Sequence, residues 1–382
     1  MHLVDTTLFY SPTSGGVKRY LTAKHGWLAA NTSWEHTIVV PGRDVQLQRG
    51  GVCTLPGCPV PGTFNYRLPL NPRRWARLLD ALEPTLIEAG DAFHPAWCGW
   101  QVAQRRGIPL AAFYHSNLPQ LAGRRWCGWF TEPIIRRYIR ELYERCDVVF
   151  APSRLMCEYL QSLGLQHALH QPLGVDAQVF HPARRRHALR AQLGLRANVR
   201  LLAYAGRFAR EKNLPILLRA LAMLGAPYHL VLIGGEQTAR PAFNVTMLPY
   251  RGDSLELAEC LASADALVHA GTKETFGLVV LEAMACGRPV VAARAGAFPE
   301  FIDESVGELA EPNSAAGMAE AIAALYERDL EAVGATARAR VLRQFTWQRA
   351  FHAQMSAYVS LFGARRLPVP QADILELRSP SS

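Results

Sequence analysis

In the stretch KETFGLVVLEAMACGRPVV (273–291), two carboxylates, Glu274 and Glu282, stand on either side of Gly277 and the start of an apolar helical run. A helix start presents free amides with a dipole behind them, which seats an anion such as a phosphate. Glu274 precedes that start, and Glu282 lies about 7 Å along the helix axis beyond it. Carboxylates so placed accept hydrogen bonds from hydroxyls at both ends of a diphosphate, the sugar on one side and a ribose on the other. Gly277 lets the backbone come close to a ligand with no Cβ in the way, so Phe276, Gly277 and Leu278 are donor-binding candidates. The competing expectation, two solvated charges on a helix face, leaves the Phe-Gly loop unexplained.

A second cluster has the complementary charge. YAGRFAREKN (204–213) ends a strand-like run and carries Arg207 and Lys212 in the loop that follows. Two cations at the carboxyl end of a strand clamp a diphosphate and stabilise the charge that grows on it as it leaves. In SPTSGGVKRYL (11–21), a strand runs into Gly15 and Gly16 and a helix begins, the grammar of a further phosphate-approaching loop. The dinucleotide fingerprint G-x-G-x-x-G and the P-loop G-x-x-x-x-G-K-[ST] are both absent from the chain. No D-x-D occurs either, so no bridging metal and no cofactor is expected; Arg207 and Lys212 would take a divalent cation's place.

These loops need strands and helices to hold them. The runs 85–89, 109–115, 147–153, 201–207, 229–235, 266–271 and 289–294 read as buried parallel strands separated by segments of helical period. At 382 residues the alternation predicts an α/β protein of two doubly wound, Rossmann-like domains facing a cleft. The domain break falls near 174–194, where Gly174, Pro182 and a basic run interrupt the rhythm. That divides the chain into an N-terminal domain, 1–180, and a C-terminal domain, 187–345, with 367–382 a loose tail.

With these motifs in place, the chain resembles the GT-B glycosyltransferases, and within them the large retaining group called glycosyltransferase family four. ETFGLVVLE resembles that family's E-x7-E motif, GRFAREKN its G-R-x-x-x-x-K-N loop, SGGVKRYL its N-terminal glycine loop, and AGAFPEFI (295–302) its G-G-x-P-E element, with Ala297 at the second glycine. DVVFAPS and LGVDAQVFHP are similar to segments around its domain junction. The resemblance implies transfer of a hexose from a UDP- or GDP-sugar with retention at the anomeric carbon. Front-face attack, with the leaving phosphate taking the acceptor's proton, goes with it. It assigns Glu274 to the sugar hydroxyls, Glu282 to the ribose, Arg207 and Lys212 to the diphosphate, and Gly15 and Gly16 to its approach from the other domain. It also implies an acceptor role for the N-terminal domain and nucleotide-sugar binding for the C-terminal one. His115, at the end of AAFYHSN, stands where the family keeps a histidine near the reacting sugar; read from its surroundings alone it is equally a satisfied strand-end residue. The helix 346–362 would cross back to the N-terminal domain, as in related folds.

The acceptor is addressed by charge. The chain carries a net charge of +9, with a pI near 9.3, which calls for an anionic partner. Two basic-aromatic stretches, 64–79 and 121–146, place Arg73, Arg74, Trp75, Arg124, Arg125, Trp126 and Trp129 where they could rest on anionic lipid headgroups. The alternative is core tryptophans beside a solvated arginine face. The lipid reading predicts a peripheral enzyme on the cytoplasmic face of the inner membrane, acting on a lipid such as diacylglycerol. The opening residues lack a signal-peptide pattern, no apolar run is long enough to span a bilayer, and the scattered cysteines suit a reducing cytoplasm. Rival readings are a transferase with a soluble acceptor, a phosphorylase or epimerase on the same scaffold, and a basic nucleic-acid binder. The last explains the charge but not the Glu274/Glu282 pair.

Overall fold

The structure, a computed structural model, describes residues 1–10, 15–60, 66–69, 71–119, 128–196, 198–235 and 244–365; for 128–131 and 187–188 this means the backbone only. The chain forms two compact units. One is Met1–Pro172 together with the segment from Trp347 onward, and the other is Leu173–Thr346.

The first unit is built on eight strands: β1 (His2–Thr6), β2 (Glu35–Gly42), β3 (Val52–Pro59), β4 (Arg67–Pro69), β5 (Leu86–Ala89), β6 (Leu110–Phe113), β7 (Val148–Ala151) and β8 (Ala168–His170). They lie in the order β4-β3-β2-β1-β5-β6-β7-β8. All neighbours run parallel except β4, which pairs antiparallel at the edge. The second unit has six parallel strands: β9 (Arg200–Ala205), β10 (Tyr228–Ile233), β11 (Val245–Leu248), β12 (Ala266–His269), β13 (Val290–Ala293) and β14 (Gly307–Ala310). Their order is β11-β10-β9-β12-β13-β14. Central strands such as LLAYA and VVAA are buried along their length because helices cover both faces, which is why they read as continuous apolar runs. Both sheets are doubly wound. Strand order reverses between β1 and β5 in the first and between β9 and β12 in the second, and open α/β sheets bind ligands at such switch points, beyond the carboxyl ends of the strands.

The unit boundaries fall at Pro172/Leu173 and Thr346/Trp347. The first lies earlier than the sequence reading put it, for a packing reason. The Arg338 guanidinium donates to the carbonyls of Phe180 and Ala285, tying the segment after Leu173 to the second unit. The helix Trp347–Ala364 belongs to the first unit, where buried polar contacts hold it. Lys24, 1% exposed, donates to Asp5 (3.1 Å), Glu88 (2.9 Å) and the Tyr358 hydroxyl (2.9 Å). Gln354 donates to Glu88 (3.0 Å) and to the Tyr20 hydroxyl (2.6 Å).

Trp75 corrects an expectation. In the helix Pro72–Ala81 it is 0% exposed and its indole donates to Thr6 Oγ1 at 3.0 Å, so it is core and cannot reach a bilayer. Arg73 and Arg74, on the opposite face of that helix, are exposed. Arg124, Arg125, Trp126 and the 367–382 tail lie outside the described residues, as does the side chain of Trp129.

Candidate donor site

The switch point of the second sheet gathers the predicted cations and carboxylates. After β9 the chain turns at Gly206 (φ +149°), and the Tyr204 hydroxyl donates to the Arg207 carbonyl at 3.0 Å. Gly234 and Gly235 make room for this turn: a Cβ on Gly234 would lie 2.4 Å from the Gly206 oxygen, and one on Gly235 2.2 Å from the Phe208 ring. The loop then closes in a 3-10 turn, Arg210–Lys212, and Asn213 takes the left-handed conformation (φ +53°). Its amide donates to the Ala270 carbonyl and to Asn313 Oδ1, both at 3.1 Å, which fixes the loop after β9 against the end of β12.

That tie aims Lys212 at Glu274, and its ammonium donates to Oε1. The Glu274 backbone is gripped separately. The Ala297 amide donates to its carbonyl at 3.0 Å, and Gly296 (φ +59°) packs so close that a Cβ would sit 2.7 Å from the same oxygen. Ala297 itself, where the family pattern has glycine, is fully buried and serves here through its backbone. His269, at the end of β12, completes the cluster. Its Nδ1 accepts from the Gly271 amide at 3.0 Å, so the neutral ring carries its proton on Nε2, 3.6 Å from Glu274 Oε1.

Electrostatics follow from burial. Loss of water alone would raise the Glu274 carboxyl, but Lys212, then His269 and Arg207, override it and hold it at about 2. Burial pushes His269 down to about 4, against the pull of Glu274. The site therefore offers an ionised carboxylate and a neutral imidazole across the physiological range. Arg207 lies 3.7 Å from Glu211 and remains half-exposed, within reach of an anion.

Gly277 caps the helix Leu278–Ala285 in the left-handed region (φ +93°), and a Cβ there would strike the Phe298 ring at 2.6 Å. Glycine is thus required by the turn and by its neighbour. Glu282 is 2% exposed and the Glu274 side chain 13%, so neither is the solvated helix-face charge of the competing expectation. Phe276 needs a correction: its ring is buried against Phe301 (5.5 Å) and Phe345 (6.4 Å), leaving only its backbone to face a donor. Leu278 is buried too, and it is the first residue of the helix.

The remaining candidates belong to the first unit. Gly15 caps the helix Gly16–Asn31, and a Cβ on it would meet nothing within 4 Å among the described residues. His115, just beyond β6, stacks flat on Phe113 (4.1 Å, 3°) and meets Tyr20 at 4.9 Å. Burial, helped by Lys24, pushes its pKa down to about 3, so it is neutral. Arg207, Lys212, Glu274, Gly277, Leu278 and Glu282 are thus brought together in one unit, and Gly15, Gly16 and His115 lie in the other. His269 was given no role by sequence reading, and Asn213 and Gly296 were named only as members of their motifs. The signal for His269 was a lone polar residue within the apolar run ALVHAG.

Residues 185–340 match the family described as "Glycosyl transferases group 1", and residues 14–179 match "Glycosyltransferase Family 4". A GDP-mannose-dependent alpha-(1-6)-phosphatidylinositol dimannoside mannosyltransferase of Mycobacterium tuberculosis is 32% identical over 368 residues, covering 92% of this chain and 94% of that one. A D-inositol 3-phosphate glycosyltransferase of Saccharomonospora viridis is 33% identical, covering 70% and 68%. Among solved structures, sucrose-phosphate synthase from Thermosynechococcus elongatus superposes with a TM-score of 0.80 at 23% identity, covering 95% of this chain and 99% of that one. Anabaena HepE in complex with UDP and glucose gives 0.75 at 20%, covering 94% and 99%. At these identities the two structures speak for the fold.

Proposed function

The chain belongs to the family-four glycosyltransferases of GT-B fold, and on that premise we propose that it moves mannose from GDP-mannose to a hydroxyl of a membrane glycolipid, with retention and without a metal. The observation that carries the reading is the Lys212–Glu274–His269 cluster beside the Gly277 helix start. With Arg207 beside it, it supplies cations and amides for a diphosphate and an ionised carboxylate for sugar hydroxyls. The choice of donor and acceptor rests on the mycobacterial mannosyltransferase, which matches across 92% of this chain.

The chemistry divides among these residues. Arg207, Lys212 and the amides of Leu278 and its neighbours hold the diphosphate and stabilise the charge it gains as the bond from anomeric carbon to phosphate oxygen breaks. Glu274 orients the sugar through its hydroxyls, and Glu282 takes the ribose. The acceptor oxygen bonds to the anomeric carbon on the face the phosphate leaves, and its proton passes to the departing phosphate oxygen. Two guanidinium-bearing cations of the acceptor-side helix, Arg73 and Arg74, are exposed and suit an anionic headgroup. Among the described residues no helix is long and apolar enough to cross a membrane, so contact with lipid would be peripheral.

A second reading, transfer to a soluble inositol phosphate, is favoured by the Saccharomonospora relative. The two separate in one assay: GDP-mannose, UDP-glucose and UDP-galactose are offered with phosphatidylinositol-mannoside vesicles or with free inositol phosphate, with and without EDTA, and products are read by mass spectrometry. Mannosyl lipid formed equally well in EDTA is the expected result. Product confined to the soluble acceptor, or formed only with added Mn²⁺ or Mg²⁺, contradicts the proposal.

A further inference from the structure

The roles of Lys212, Arg207 and Glu274 leave out His269, the last residue of β12 and the lone polar side chain in the run ALVHAG. It is 1% exposed, with the Phe298 ring edge-on at 5.0 Å and the Tyr204 ring at 5.5 Å. A buried imidazole among aromatic rings is costly unless its nitrogens are used. Nδ1 accepts from the Gly271 amide at 3.0 Å, so the proton of the neutral ring sits on Nε2. Gly271 is what allows the approach: a Cβ there would lie 2.6 Å from His269 Cε1 and 3.3 Å from the Glu211 carbonyl oxygen. Ring and loop are fitted to each other.

The protonated Nε2 lies 3.6 Å from Glu274 Oε1, just beyond hydrogen-bond length, where a dipole still acts on a charge because the setting is buried. The Lys212 ammonium donates to the same oxygen. Both positive ends thus meet at Oε1, and among the described residues none donates to Oε2. The Glu274 main chain is held by the Ala297 amide and by the close packing of Gly296. What remains soft is the terminal torsion of the carboxylate, which is broad and roughly two-fold. Lys212 does not lock it, since an ammonium with three donors on a flexible stem follows either oxygen. The imidazole, held by Gly271 and by its packing, does not follow.

Resting on the donor-site reading, we propose that His269 is a positioning residue that fixes which oxygen of Glu274 meets the donor sugar, and so sets the choice between sugars that differ in the orientation of one hydroxyl. With Oε1 kept toward the imidazole, Oε2 is presented in one direction. A hydroxyl of the opposite orientation is then left unpaired in a desolvated site, which is what makes a hydrogen-bonding pocket selective. Without the imidazole the carboxylate turns to suit either epimer, and the selection is lost while the diphosphate contacts stay.

Calorimetry on the full chain tests this without an acceptor. GDP-mannose is compared with GDP-glucose, which differs at one ring carbon, and UDP-glucose with UDP-galactose, which differs at another; GDP and UDP are the sugar-free probes. The wild type should bind one member of at least one pair at least about fivefold more tightly than its epimer. In His269→Leu that preference falls to within about twofold, while affinity for GDP and UDP moves by less than about twofold. His269→Gln, which keeps an N–H near the place of Nε2, restores most of the preference. Should the leucine variant fail to fold, Gly271→Ala serves in its place, since it displaces the ring with its chemistry intact and gives the same loss. A preference that survives in His269→Leu or in Gly271→Ala, or a wild type with none, overturns the positioning role and leaves the donor reading standing. So does a loss in the glutamine variant as large as in the leucine one, or an equal fall in affinity for GDP and UDP, since packing alone would produce either. Binding of no nucleotide and no sugar nucleotide by the wild type overturns both.

Discussion

Glu274 illustrates how one residue's charge depends on another. Its carboxyl is buried, and burial by itself favours the protonated acid; the ion pair with Lys212 reverses that and holds it at about 2. In the wild type no acid limb from Glu274 should appear in kcat/KM above about pH 4.5, its ordinary range. Lys212→Ala removes the largest opposing influence, so the carboxyl should rise above 4.5 and an acid limb should move toward neutrality. The same change removes a diphosphate contact, and kcat/KM should fall about 100-fold at pH 7.5. A pH–rate profile with the same midpoint in both proteins would refute the ion-pair account. Much at this scale was legible. Arg207, Lys212, Glu274 and Glu282 stand in spaced motifs whose chemistry is plain from residue type. For Phe276 the motif names the residue without saying that its ring turns inward, which leaves its backbone as the part that could face a donor. His269 went unseen because its role comes from β12 ending beside the loop that carries Glu274, a neighbourhood made by the fold.

Among the elements, the returning helix Trp347–Ala364 makes the clearest case for buried polar packing. Lys24 lies between Asp5 and Glu88, and Tyr358 and Gln354 of that helix close the network. Replacing Lys24 by methionine leaves two buried carboxylates without their cation, which should destabilise the first unit by about 3–5 kcal/mol. The loss should depend on pH in a definite direction. Burial pushes Glu88 up to about 7 even beside Lys24, so in Lys24→Met it rises further and the cost grows as pH climbs from 5 to 8. Urea midpoints at the two pH values, with amide exchange of 347–364 alongside, measure it; a loss that is small or equal at both would contradict the network's role. The apolar spacing of 346–362 announced a packed helix. Its polar anchors were hidden, since Glu88 sits within the strand-like run TLIEA and Lys24 in a helix of ordinary composition. Trp75 went the other way: standing among arginines in the sequence made it a candidate membrane contact, but it faces inward, as the core alternative had it.

For the molecule as a whole, alternation of apolar runs with helical segments was enough to anticipate two doubly wound sheets. The order of strands was not, since it depends on pairings far apart in the chain, and strand order is what puts the Arg207 and Glu274 loops at one switch point. The surplus of positive charge, +9, gives the chain a general attraction for anions but does not identify one. Specific recognition is assigned to the candidate site in the second unit, and calorimetry tests that without any acceptor. GDP and UDP are titrated into the wild type and into Lys212→Ala at fixed ionic strength. One saturable site for at least one of these nucleotides, weakened at least about tenfold by the substitution, is the predicted result. Absence of binding by either nucleotide, or equal affinity in both proteins, would contradict a diphosphate seated on Lys212 and the Gly277 helix start.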